Sequence, residues 1–281
     1  MPATHPYIPR IAVIFDFDRT LATDTIDALC AAWDIERKEW ETKYADALGH
    51  GWDDIIRRGQ ALIDCGRDRG QPLSKSFFRK AAKNIDLYDG VRDMRDRLTK
   101  AVEDVHSECT LELVVLSSGY AEMINETDIA EHFDAVWAGA FHFDEEGDAV
   151  CVKRIIGHKT KATYVEAYAK NLDLDSANEP RTAAPDFDEE DMHVLFDQLV
   201  YVGDGLSDLN VFDFVTNSGG LAIAIDKSAQ FDHSDEQMES QRVENLAPPD
   251  YTEDSELMRS LIAAVKSCAQ RVTLRKLGEG E

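Results

Sequence analysis

Two carboxylates two positions apart, Asp16 and Asp18, follow directly on the apolar run Ile11–Phe15. A carboxylate is a modest nucleophile, a general acid or base, and an oxygen ligand for a hard cation. A short β-branched run that stops in acidic residues reads as a buried parallel strand. In an open α/β sheet, ligands bind beyond the carboxyl ends of such strands. Three further groups recur in the same setting. The run Leu111–Leu116 ends in Ser117, Ser118 and Gly119, hydroxyls and amides that suit an anion and equally suit a helix cap. The run Leu199–Val202 ends in Gly203-Asp204-Gly205-Leu206-Ser207-Asp208, a tight turn with two carboxylates set four apart. Between them, Gly157-His158-Lys159-Thr160-Lys161 opens a helix over Ala162–Lys170. Shared chemistry requires these distant acidic, hydroxyl and ammonium groups to gather at one end of the sheet.

The elements that would gather them can be read from periodicity. Apolar runs at Ile11–Phe15, Leu111–Leu116, Leu199–Val202 and Leu221–Ile225 are each followed by a polar turn and a helical segment. That alternation predicts an α/β fold, a Rossmann-like open parallel sheet with helices on both faces. From Ala22 to Thr110 no comparable strand intervenes. Helices are expected at Thr25–Trp33, Glu36–Leu48, Asp53–Cys65 and Ser74–Asn84, broken by Gly49, Gly51, Gly66, Gly70 and Pro72. This stretch is too long for a crossover and too structured for a loop. It predicts a helical cap over 22–87 inserted into a core formed by 1–21 and 88–281. Trp33, Trp40, Trp52, Phe77 and Phe78 are expected to pack inside that cap. The core resumes at Tyr88-Asp89-Gly90 with a helix over Val91–Val105, and a hairpin is expected around Phe141–Val152. Asn171–Asp191 reads as an acidic loop or insertion, Gln230–Asp254 as a polar stretch, and Glu256–Leu277 as a closing helix.

In this order and at these strand ends, the four groups resemble the four motifs of the haloacid dehalogenase (HAD) superfamily of phosphate-handling hydrolases. DxDxT stands at Asp16–Thr20, the motif serine at Ser117, the lysine at Lys159, and GDGxxD at Gly203–Asp208. The stretch Phe15–Asp27 (FDFDRTLATDTID), the Ser117–Tyr120 segment and the GDGxSD turn are most similar to its phosphoserine phosphatase branch.

That resemblance implies roles. Asp16 would attack phosphorus and form an aspartyl phosphate, while Asp18 would protonate the leaving alcohol and then deprotonate water. Asp18 also disfavours a halide leaving group, which needs no catalytic acid. Ser117 would hydrogen-bond the phosphoryl oxygens, and Lys159 would neutralise charge on nucleophile and phosphate. Lys161 has an equal claim by its spacing to the following helix, and Lys159 is the expected residue. Mg²⁺ would be held by Asp16, the Asp18 carbonyl and Asp204, with Asp208 holding the lysine or a metal-bound water. Ser118, Gly119, Thr20 and Asp24 complete the substrate-binding set, Thr20 by supporting its loop. Asp24 would meet the amine of a phosphoserine-like substrate and Arg57 or Arg58 its carboxylate, whereas Arg19, at the variable motif position, is expected to face solvent. The implied activity is a Mg²⁺-dependent phosphomonoesterase acting on a small phosphorylated metabolite. A phosphotransferase or mutase relative, and a non-catalytic phosphate-binding module, are the alternatives.

Composition narrows the partners. The chain has 281 residues and a formal net charge of −25, a field that repels phosphate backbones and anionic lipids, so neither nucleic acid nor membrane is an expected partner. A hydrophobic fraction of 43% excludes a disordered chain. No apolar run is long enough for a bilayer span, and Met1–Arg10 lacks the layout of a secretory signal, which gives a cytoplasmic expectation. The five cysteines stand singly and signal neither disulfides nor zinc.

Overall fold

The fold was analysed in a computed structural model, in which residues 5–172, 188–204, 207–225 and 245–278 are described. Most of the expected acidic loop and much of the polar stretch, together with Gly205 and Leu206, lie outside the described residues.

The apolar runs form the strands of one sheet. Its members are β1 (Arg10–Phe15), β2 (Thr110–Tyr120), β3 (Ala135–Phe143), β4 (Ala149–Arg154), β5 (Leu199–Gly203), β6 (Leu221–Ile225) and β7 (Asn245–Ala247), in the spatial order β4-β3-β2-β1-β5-β6-β7. All neighbours pair in parallel except β3 and β4, the expected hairpin. The fold is therefore α/β with a Rossmann-like, mostly parallel sheet.

Strand residues alternate between two cores, because side chains on a strand point to opposite faces and both faces are covered. Ile11, Val13 and Phe15 enter one core with α5 (Val91–Glu103) and the closing helix α9 (Glu256–Gly278). Ala12 and Ile14 enter the other, with α7 (Lys161–Ala169) and α8 (Leu209–Asn217).

The chain between β1 and β2 forms α1 (Thr25–Ala32), α2 (Arg37–Trp40), α3 (Asp54–Asp68) and α4 (Lys75–Ala82). The long helix expected over Glu36–Leu48 is instead one α-turn followed by a wide turn over Glu41–Ala45 and a tight one over Asp46–Leu48. Trp33, Trp40, Phe77 and Phe78 are buried in a third core, whereas Trp52 is 42% exposed. This third core also takes in Tyr120, Met123 and Phe141 from β2, the short helix α6 (Ala121–Ile124) and β3. The helices are thus packed on the end of the sheet rather than hung from it by linkers. Among the described residues no helix is long and apolar enough to cross a membrane.

Candidate active site

Asp16 sits where β1 ends. Its amide donates to the Val202 carbonyl of β5 at 2.8 Å, so the β1–β5 pairing fixes its backbone. The next residues fold back on themselves, the Phe17 carbonyl accepting from the amides of Thr20, Leu21 and Ala22. Arg19 takes a left-handed backbone in this loop, with φ at +62°, a conformation that costs a non-glycine residue on the order of 1 kcal/mol or more.

Beneath Asp16 lies a buried charge cluster. The Lys161 ammonium, at the first position of α7, is 2.8 Å from Asp16 Oδ2 and 2.7 Å from Asp208 Oδ1, and is fully buried. The Tyr201 hydroxyl donates to the same Asp208 oxygen at 2.7 Å, and Ser207 donates to the other at 3.2 Å. Burial disfavours the charged form of Lys161, but the charges of Asp16 and Asp208 outweigh it and hold the ammonium. Gly203 makes room for this arrangement, since a Cβ there would lie 2.3 Å from Asp208 Oδ2.

The two carboxylates of the first motif are held differently. Burial, with the charges of Asp208 and Asp204 and against Lys161, pushes the Asp16 carboxyl up to about 6. Asp18 accepts from the Thr25 amide at 2.8 Å and from its hydroxyl at 3.1 Å. Burial and then the charge of Asp24 push the Asp18 carboxyl up to about 7. A carboxyl poised near neutrality can both give and take a proton. The end of β2 closes on this pair because Gly119 has no side chain: a Cβ there would be 3.1 Å from Asp18 Oδ2. Ser117 Oγ accepts from the Gly119 amide at 3.0 Å, which leaves its own proton to donate. The Ser118 hydroxyl is buried with no partner among the described residues.

A cavity of about 340 Å³ opens over these groups, lined by Asp16, Asp18, Ser117, Ser118 and Asp204, with Arg19, Asp24, Arg58, His158 and Ser207 around them. Carboxylate oxygens of Asp16, Asp204 and Asp208 lie within 4.8 Å of one another. Burial followed by the charge of Asp208 raises the Asp204 carboxyl. An oxygen-only set whose members repel one another fits a hard divalent cation such as Mg²⁺.

No protein-family model matches the sequence, and no curated protein does so. Solved structures match the fold. A phosphoserine phosphatase in apo form aligns at a TM-score of 0.55 and 19% identity, over 90% of this chain and 98% of that one. A HAD family hydrolase from Salmonella enterica serovar Typhi gives 0.57 at 11% identity, over 93% and 72%. A substrate-bound phosphoserine phosphatase complex gives 0.53 at 16% identity, over 92% and 99%. The chain has the fold of the HAD-family hydrolases.

Within that HAD fold, the sequence-expected residues fall into two groups. Asp16, Asp18, Asp24, Ser117, Ser118 and Asp204 line the cavity, Gly119 abuts Asp18, and Asp208 lies beneath, tied to the lysine. Lys159 requires correction: it is exposed, and the lysine that reaches Asp16 is Lys161. The reason is the turn Gly157–Thr160, where the amides of Thr160 and Lys161 both donate to the Gly157 carbonyl. The helix starts at Lys161, so that side chain points into the core and Lys159 points out. Thr20 is not among the cavity-lining residues and supports its loop through its backbone rather than its hydroxyl. It is fully buried, its hydroxyl has no partner among the described residues, and its carbonyl accepts from Tyr251 at 2.9 Å, so it belongs to the scaffold of the loop. Arg19 lines the cavity rather than facing away from it.

Thr25 and Tyr201 were given no role from the sequence, and Ser207 only a place in the GDGxSD turn, yet they hold Asp18 and Asp208. Thr25 carried a further signal, as the first residue after the helix-capping Asp24, and Tyr201 carried none. Of the two candidate arginines, Arg58 lines the cavity, while Arg57 pairs with Asp54 and Asp46 outside it.

Proposed function

We propose that the chain is a Mg²⁺-dependent phosphomonoesterase that cleaves a small phosphate ester through an aspartyl phosphate on Asp16. The observation that carries this reading is convergence: Asp16, Asp18, Ser117 and Asp204, from three strand ends, line one cavity, and Lys161 backs the nucleophile.

Asp16 and Asp204, with the Asp18 carbonyl, would hold the cation, which when bound offsets negative charge between carboxylate and phosphate. Everything else falls to the chain's own groups. The Asp16 carboxylate attacks phosphorus as the ester P–O bond breaks, and the carboxyl proton of Asp18 passes to the departing alkoxide. Asp18, now ionised, takes a proton from water. That oxygen attacks phosphorus, the acyl-phosphate P–O bond breaks, and inorganic phosphate leaves with Asp16 restored. Ser117 and Ser118 hydroxyls orient the phosphoryl oxygens, and Lys161 keeps Asp16 ionised and aimed.

Supporting the Asp18 role, its carboxyl is pushed to about 7 while Thr25 fixes its orientation. Phosphoserine is the first ester to try, because a substrate-bound phosphoserine phosphatase shares the fold. The test is release of inorganic phosphate from p-nitrophenyl phosphate and O-phosphoserine with Mg²⁺ present. Turnover by the wild type, lost in a folded Asp16→Asn variant, is the expected outcome. Tight phosphate binding without turnover of any ester would instead favour a non-catalytic module, and transfer to an added alcohol in place of water would favour a phosphotransferase.

A further inference from the structure

The rim of the cavity differs in charge from its floor. Its acidic member, Asp24, has both oxygens engaged. Oδ1 caps α1 by accepting from the Ile26 amide at 2.9 Å and takes the Arg37 guanidinium at 3.2 Å, while Oδ2 faces Arg19 at 3.4 Å. Its side chain is only 14% exposed. Arg37 and the capping amide outweigh the effect of burial and hold the carboxyl below its ordinary range. An ammonium arriving at Asp24 would meet a carboxylate whose Oδ1 is already neutralised by Arg37, itself tied to Asp27 and Glu41, and whose Oδ2 already faces Arg19.

The cations of the rim are less committed. Arg19 reaches Asp24 at 3.4 Å and Asp204 at 3.9 Å, both long contacts, from a side chain 57% exposed. The left-handed backbone at Arg19 places it over the cavity although nothing there holds it tightly. Arg58, on α3, lines the same cavity and has no ion pair among the described residues. Two loosely held guanidiniums are thus presented to the part of a substrate that lies beyond the phosphoryl group.

We propose that this rim selects phosphate esters whose alcohol portion carries a second anionic group, a carboxylate or another phosphate, and disfavours those bearing an ammonium. Arg19 and Arg58 receive that group, and Asp24 serves as a structural counter-charge rather than an amine receptor. This rests on the phosphomonoesterase reading and narrows its substrate class.

A matched pair of esters tests it: 3-phosphoglycerate and O-phosphoserine differ only in hydroxyl against ammonium. Phosphoethanolamine, a diol bisphosphate and p-nitrophenyl phosphate serve as the ammonium, second-phosphate and uncharged-tail arms. The expected result is a kcat/KM at least tenfold higher for 3-phosphoglycerate than for O-phosphoserine, with phosphoethanolamine poorest. The diol bisphosphate arm tells whether the second group is read as carboxylate or as phosphate. Arg19→Ala and Arg58→Ala should each reduce turnover of the acid-tailed ester at least tenfold more than that of p-nitrophenyl phosphate, a loss typical of a charge-assisted pair. Arg58→Lys should restore part of it. Equal or better turnover of O-phosphoserine, or equal losses on every ester, overturns the proposal. If no ester is turned over, the phosphomonoesterase reading fails by itself, and equilibrium binding of the same matched pair to Asp16→Asn protein still decides selectivity. Binding of 3-phosphoglycerate at least tenfold tighter supports the proposal, and equal or reversed affinities refute it.

Discussion

The hydroxyl of Tyr120 donates to the carbonyl of Ile55 at 3.1 Å, in a contact where both residues are buried. Tyr120 ends the strand that carries Ser117 and Ser118, and Ile55 lies in the first turn of the helix that carries Arg58. One bond thus ties the cavity end of the sheet to the helix that contributes Arg58 to the cavity lining. Tyr120 also stacks on Phe141 with ring centroids 4.3 Å apart, which fixes its direction.

Gly59 lets that helix come close. A Cβ at this position would lie 2.2 Å from Val152 Cγ2 and 2.6 Å from the Tyr120 hydroxyl. Helix propensity alone would make Gly59→Ala stabilising by about 1 kcal/mol. Overpacking of about 1–3 kcal/mol and disruption of the Tyr120 bond should win, so chemical denaturation is expected to show a lower midpoint with an unchanged slope. The KM for an acid-tailed phosphate ester should rise with it. A midpoint at or above wild type would mean that the helix does not press on β2 as described.

Lys161→Met leaves Asp16 and Asp208 buried without their common counter-charge. Breaking a buried pair typically costs about 3–5 kcal/mol, and the nucleophile loses its aim as well. Both stability and phosphatase activity should fall sharply, whereas Lys159→Ala should alter neither beyond about 0.5 kcal/mol or a few-fold in rate. Equal effects of the two substitutions, compared by denaturation and by initial rates, would contradict the assignment of Lys161.

At the opposite end of the sheet, Glu112 accepts from His193 at 2.8 Å and pairs with Arg10 at 2.9 Å. Burial would raise its carboxyl, but hydrogen bonds from His193 and Tyr168 and the charges of His193 and Arg10 outweigh it, and the net shift is downward. A depressed folded pKa contributes stability that is fully present above the unfolded value, about 4.3, and is lost as pH falls through the folded value. Wild-type stability should therefore drop on acidification below about pH 4–5. Glu112→Gln should cost on the order of 1–3 kcal/mol at neutral pH and flatten that acid limb. Parallel acid limbs in the two proteins would rule the network out as a source of acid sensitivity.

A cation that binds only the folded chain stabilises it by mass action, by about 2.7 kcal/mol at a hundredfold excess over the dissociation constant, and so raises its melting temperature. Mg²⁺ should raise Tm in the wild type and do so far less in Asp204→Asn. Without the cation, that variant should melt no lower than wild type, since a repelling carboxylate beside Asp208 has been removed. A Mg²⁺-induced shift of equal size in both proteins would take Asp204 out of the metal site.

Most of the sheet was legible because a strand covered on both faces must be apolar throughout, as in Ile11–Phe15 and Leu221–Ile225. β7 spans three residues, too few for a period to register, and the first half of β3 carries mixed burial that blurs its pattern. Asp16, Asp18 and Asp204 were readable from their places at strand ends. The lysine was not, because a difference of two residues at a helix start reverses inside and outside, and only the Gly157 turn decides it. The engagement of Asp24 by Arg37 was equally hidden, since the two meet through the packing of α1 against α2 and not through any local spacing.

If the proposed mechanism holds, Asp16 becomes covalently phosphorylated during turnover. Rapid quenching of the wild-type protein with Mg²⁺ and a hydrolysable phosphate ester, followed by borohydride, reduces an acyl phosphate to an alcohol that peptide mass spectrometry can locate. Asp16 alone should be converted, with more conversion in Asp18→Asn than in wild type if activation of water is the slower step. Steady turnover with no label at Asp16, or with the label on another carboxylate, would contradict it.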